Sequence, residues 1–123
     1  MMVRGVRGAT TVEANTSEAI ISATEELVSR MIEANHLVPD DVASVMVTVT
    51  SDLNADFPAR VIRGRAGWEL VPVMCALEMP VPGSLPRCIR VLMHVNTVKS
   101  QSEIHHVYLR GATVLRPDLV NKI

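Results

Sequence analysis

The chain has 123 residues, 48% of them apolar and 20% charged, with a net charge of −1 and a mean hydropathy of +0.25. That balance excludes disorder, which needs low hydropathy and high net charge, and it suits one domain, 1–123, that needs no disulfide or metal staple. With no basic excess, and with Phe57, Trp68 and Tyr108 as the whole aromatic set, a nucleic-acid binder built on base stacking is also excluded.

Val3 to Glu13 reads as a β-branched strand interrupted by Gly5 and Gly8, which point to a bulge or to close approach of another group. Thr16 is the expected N-cap of a helix with Glu18 in its first turn. Ile20, Ile21, Thr24, Leu27, Val28, Met31 and Ile32 follow at helical spacing, giving one long amphipathic helix that closes at Asn35-His36. Pro39-Asp40-Asp41 opens a short helical turn.

Ser44–Thr50 alternates with period two and predicts a strand. Pro58–Arg65 predicts a short helix. Glu69–Leu77 is apolar, but Pro72 confines it to an edge or irregular strand. Pro80, Pro82, Gly83 and Pro86 mark a loop. Arg87–Thr97 predicts the strongest late strand, Ser100–Glu103 a turn, and His106–Arg110 a further short strand before a turn-rich tail. The sum is an α+β fold: a mixed five-stranded sheet with one long helix on a face. The words Arg7-Gly8-Ala9-Thr10 and Arg110-Gly111-Ala112-Thr113 match by chance, because their flanks differ.

No nucleophile elbow, zincin motif, P-loop or dinucleotide fingerprint is present. Cys75 and Cys88 lack metal-type spacing, and Cys75, inside an apolar strand, reads as a buried inert thiol. His105 and His106 would face opposite ways in a strand, so no metal site and no cofactor are expected. No secretory leader and no apolar run long enough to span a bilayer is seen, so a cytoplasmic protein without membrane contact is expected. The unusual feature is basic composition: ten of twelve basic residues are Arg. Arg binds carboxylates through a planar fork and keeps its charge when partly buried. Arg90, set among Ile89, Val91 and Leu92, faces either solvent or a pocket.

Several blocks, in order along the chain, resemble the AroH-type monofunctional chorismate mutases. They are Val3–Glu13; Thr50 to Pro58 with Asp52-Leu53 and Phe57-Pro58; Cys75 with Glu78-Met79; Cys88-Ile89-Arg90-Val91; and His106–Leu109 with Leu115–Leu119. The resemblance implies a homotrimeric pseudo-barrel of the chorismate mutase/YjgF-like type, with clefts between subunits that rearrange chorismate to prephenate. It implies Arg7 and Tyr108 as holders of the side-chain carboxylate, and Arg90 as donor to the ether oxygen. It implies Glu78 and the Cys75 segment as partners of the ring hydroxyl, and Phe57 as a wall. Arg63, Leu115 and Arg116 fall at the periphery. Arg60 stands where the family often has Lys, and Met74 where a hydroxyl residue is familiar, which leaves that segment its backbone. The competing readings are an imine or enamine hydrolase on a similar trimeric scaffold and a non-catalytic metabolite-binding module.

Overall fold

The computed structural model describes residues 1–120; the tail positions Lys122 and Ile123 lie outside them. Strand β1 (Met2–Thr11) leads into helix α1 (Ser17–Asn35). A 3-10 turn (Pro39–Asp41) precedes β2 (Val42–Val49), and a one-turn helix α2 (Arg60–Arg63) precedes β3 (Val73–Leu77). Then come β4 (Cys88–Thr97), a 3-10 turn (Gln101–Glu103), β5 (Val107–Tyr108), a 3-10 segment (Arg110–Val114) and α3 (Pro117–Val120).

The five strands form one mixed sheet in the order β3-β2-β4-β1-β5. β4 runs antiparallel to both β1 and β2, so those two are parallel to each other with β4 between them. The outer pairs, β2–β3 and β1–β5, are parallel. The expected α+β architecture with a single long helix is therefore what forms.

Helix α1 begins where Thr16, in extended backbone, accepts from the Ala19 N–H at 3.1 Å, and ends where His36 turns left-handed at φ 52°. Its apolar stripe of Ile20, Leu27, Val28 and Met31 is fully buried against one face of the sheet. Val6 of β1, Val45 and Val47 of β2, and Ile89, Val91 and Met93 of β4 supply that face. Each large side chain so buried contributes about 1.5–3 kcal/mol.

The glycines of β1 do not break it: the register with β4 runs unshifted from Met2 to Thr11. Gly8 instead permits close approach. A Cβ there would lie 2.5 Å from Met31 Sδ and 3.0 Å from Leu27 Cδ1, so α1 rests directly on the strand backbone.

Two further expectations are corrected. Helix α2 covers only Arg60–Arg63, because Pro58 and Ala59 form the turn that leads into it. The late strand shrinks to Val107–Tyr108, because Arg110 adopts a left-handed φ of 52° and turns the chain into the 3-10 segment.

Gly8→Ala should overpack the helix–sheet contact and lower stability by about 1–3 kcal/mol in urea unfolding. An unchanged midpoint would contradict this account of the contact.

Candidate active site

The sheet has a second face, which α1 does not cover. Residues that alternate with the core-facing ones point there. Register places Ala76, Thr48, Arg90, Ala9 and Tyr108 in one transverse row across all five strands. The adjacent row is Met74, Met46, Leu92 and Arg7. One row is polar around a central arginine. The other is apolar and ends in an arginine.

Arg90 is therefore held by a continuous β4 between two hydrogen-bonded neighbours. Its side chain is 36% exposed, yet its Nε is buried. Glu78, just past β3, holds its backbone by donating its N–H to the Val49 carbonyl. Its Oε2 accepts from Thr48 Oγ1 at 2.7 Å and lies 3.6 Å from Arg90 Nε. That is close enough for attraction but too long for a hydrogen bond. The Cys88 thiol is buried on the same face as Arg90, and burial pushes its pKa up.

Tyr108 lies one strand beyond Ala9. It is buried with Ala9 and Ala112, and Leu85 and Leu115 pack against the three. Among the described residues, the buried side-chain nitrogen and oxygen atoms without a hydrogen-bond partner are Arg90 Nε and the Tyr108 hydroxyl. Both can donate. They flank Ala9, one of the two alanines of the row. Buried donors without partners are rare and call for an acceptor.

Arg7 is exposed on this face, and its backbone N–H donates to His106 Nδ1 at 3.0 Å. Burial first, then the nearby cations Arg7 and Arg116, keep His106 below its ordinary pKa. His105 and His106 thus lie in a loop before β5, not in a strand. Arg116 makes two bonds to Asp118, Nε to Oδ1 at 3.0 Å and a second nitrogen to Oδ2 at 2.9 Å.

The remaining residues gather elsewhere. Cys75 pairs with core-facing Val47, so its side chain lies on the helix side of the sheet. At the β3 edge a cavity of about 560 Å³ is lined by Cys75, Ala76 and Leu77 with Val49, Leu53 and Phe57. Phe57 is 66% exposed and Met74 67%. Arg60 pairs with Asp56, and Arg63 is exposed at the end of α2. Cys75 itself is exposed, which corrects the expectation of a buried thiol. β3 is an edge strand, and four of its five residues are exposed.

One chain thus assembles Arg90 with Glu78, and Arg7, Tyr108, Leu115 and Arg116 beside them toward β5. Phe57 and Cys75 instead line the cavity at the β3 edge, Arg60 pairs with Asp56 of the same cavity lining, and Arg63 is exposed on α2. Thr48 joins the first group with no sequence signal beyond its place in an alternating strand.

The family model for chorismate mutase type I matches residues 3–119. The chain belongs to the type I chorismate mutases. It is 51% identical over 119 residues to chorismate mutase AroH of Bacillus subtilis, covering 97% of this chain and 94% of that protein. It is 54% identical over 119 residues to chorismate mutase AroH of Thermus thermophilus, covering 96% and 97%. A solved chorismate mutase from Clostridium thermocellum superposes with a TM-score of 0.87 at 50% identity, covering 90% of this chain and 98% of that one. The chain is therefore an isomerase of aromatic amino acid biosynthesis with chorismate as its substrate, as the resemblance in its sequence implies. Among the described residues no three His, Cys, Asp or Glu side chains gather as a metal site, and no helix is long and apolar enough to cross a membrane.

A clasp fixes the start of β4, two residues before Arg90. The Arg87 N–H donates to both Asp52 oxygens, at 3.1 and 2.9 Å, while Arg87 takes a left-handed φ of 45°. Thr50 donates to Asp52 and accepts from the Cys88 N–H at 3.0 Å. The Thr50 hydroxyl above all, then the Arg87 amide, hold Asp52 below the ordinary carboxylate range, against partial desolvation. A carboxyl depressed in the folded state stabilises the fold above its ordinary value, and loses that contribution as pH falls through the depressed one. Wild type should thus exceed Asp52→Asn in stability at pH 6, and the gap should close toward pH 2. A gap independent of pH in thermal melts would contradict the clasp.

Proposed function

We propose that this mutase works in clefts between protomers of a homotrimeric pseudo-barrel, in which one chorismate mutase domain, 1–123, supplies complementary parts to two neighbouring sites. Two observations support the shared cleft. The Tyr108 edge and the β3 edge lie four strand spacings apart, about 19 Å, a gap too wide for one small dianion to bridge. The Val49, Cys75 and Leu77 side chains that line the Phe57–Cys75 cavity also belong to the face opposite the Arg90 row. A neighbouring protomer that brings its β3 edge to the β1–β5 side unites them. The apolar row Met74, Met46 and Leu92 supports sheet-to-sheet packing, because Met74 and Leu92 are exposed and Met46 is only half-buried.

The reaction is a Claisen rearrangement within one molecule: a C–O bond breaks as a C–C bond forms. No proton has to move and no covalent adduct is needed. The protein has two tasks. It must hold a flexible dianion in a compact chair, which converts rotational freedom into prepaid order. It must also meet the negative charge that grows on the ether oxygen as its bond stretches.

Arg7 and Tyr108 hold the side-chain carboxylate. Arg90 reaches the ether oxygen and a carboxylate. Glu78 and the backbone around Met74 and Cys75 take the ring hydroxyl. Phe57 forms a wall, and Arg60, Arg63, Leu115 and Arg116 collect the dianion and cover it. The observation that carries this reading is the pair of buried donors, Arg90 Nε and the Tyr108 hydroxyl, on either side of Ala9. An anion in that gap satisfies both. In a water-poor cleft a fixed cation acts with little reorganisation.

Arg90→Ala should lower kcat by about 10³-fold or more while the assembly stays folded. Near-normal turnover would remove Arg90 from this role. Dilution below the concentration at which protomers separate should abolish activity. A monomer turning over at full rate would refute the shared cleft.

A further inference from the structure

We infer that Thr48 is a positioning residue of the active site: its hydroxyl holds the Glu78 carboxylate off the Arg90 guanidinium and so keeps that cation open for substrate. The inference rests on the proposed roles of Arg90 and Glu78.

Three facts carry it. Thr48 is the direct cross-strand partner of Arg90, so the two side chains stand side by side on the same face. The Thr48 hydroxyl donates to Glu78 Oε2 at 2.7 Å. The same oxygen stops 3.6 Å from Arg90 Nε, outside hydrogen-bond distance, and that Nε is buried with no other partner.

The third fact is the unusual one. A carboxylate and a guanidinium this close ordinarily close into a short fork with two parallel bonds. Both side chains are partly buried, at 25% and 36% exposure, so screening by water is incomplete and the attraction is substantial. A restraint on Glu78 is therefore needed, and the Thr48 hydroxyl supplies one. The Glu78 backbone supplies a second, through its N–H to the Val49 carbonyl. Between them the carboxylate keeps a pose in which Oε1 is left for a hydroxyl donor and Arg90 Nε for an anion.

Removing the hydroxyl releases the carboxylate. It then swings onto Arg90 and tightens the existing 3.6 Å contact into the hydrogen-bonded pair that the pose now prevents. The substrate must break that pair to bind, which raises KM. The cation that remains is partly neutralised, which lowers kcat.

Thr48→Val keeps the shape and β-branching that a strand favours and removes only the hydroxyl, while Thr48→Ser keeps the hydroxyl and removes the methyl. Thr48→Val should raise KM and lower kcat, with kcat/KM reduced about ten- to hundredfold and the thermal midpoint near that of wild type. Thr48→Ser should stay within about threefold of wild type. In the Glu78→Gln background, where no ion pair can form, Thr48→Val should add little further loss.

Unchanged kinetics in Thr48→Val, or an equal loss in Thr48→Ser, would overturn the inference. So would a Thr48→Val penalty that persists in full with Glu78→Gln. If Glu78→Gln alone turns over at the wild-type rate, the role of Glu78 fails first and that of Thr48 falls with it. This result is distinguishable from a slow Glu78→Gln beside a normal Thr48→Val, which overturns Thr48 alone.

Discussion

A cation placed in the middle of a sheet is the constraint on which this molecule turns. Arg90 sits on the central strand β4, between Thr48 and Ala9, with its Nε buried. A cation held partly out of water is costly unless something of opposite charge meets it. Glu78 meets it only in part, at 3.6 Å. What is left is a standing demand for an anion in a fixed place. A Claisen rearrangement makes the matching demand, since its transition state gathers negative charge on one oxygen and asks for no proton. The missing catalytic motifs follow from that chemistry.

The surrounding fold serves this one position. Helix α1, resting on the backbone at Gly8, covers one face of the sheet. The Thr50–Asp52–Arg87 clasp sets where β4 begins. The strand order then spreads the other residues of the proposed site toward the two outer edges, β3 and β5. A sheet with its helix on one side has a face to give away. Here that face carries both the arginine and an apolar row, and in the proposed assembly association and catalysis draw on the same surface.

Much of the scaffold is legible in the residues. Thr16 as a cap and the 3.6-residue stripe from Ile20 to Ile32 mark α1, period-two alternation marks β2, and the run Arg87–Thr97 marks β4. Pro72 rightly marks β3 as an edge. The misreadings have local causes. The left-handed turn at Arg110 cuts β5 short, and nothing in the composition of that segment foretells it. Cys75 reads as buried because its strand is apolar, but β3 is an edge strand and nothing among the described residues covers it. The site is less legible. Spacing alone leaves Arg90 undecided between solvent and pocket, and its role comes from resemblance. Thr48 escapes altogether, because its meaning lies in a contact with a residue thirty positions away.

The most direct test separates binding from chemistry at Arg90. Arg90→Gln keeps a hydrogen-bond donor and removes the charge. Its kcat and its affinity for prephenate, measured by calorimetry, should part company. The account predicts a fall in kcat of about 10²–10³-fold or more, against a much smaller loss of product affinity. Equal losses in both, or no loss in kcat, would contradict the claim that this cation acts on the charge that develops as the ether bond breaks.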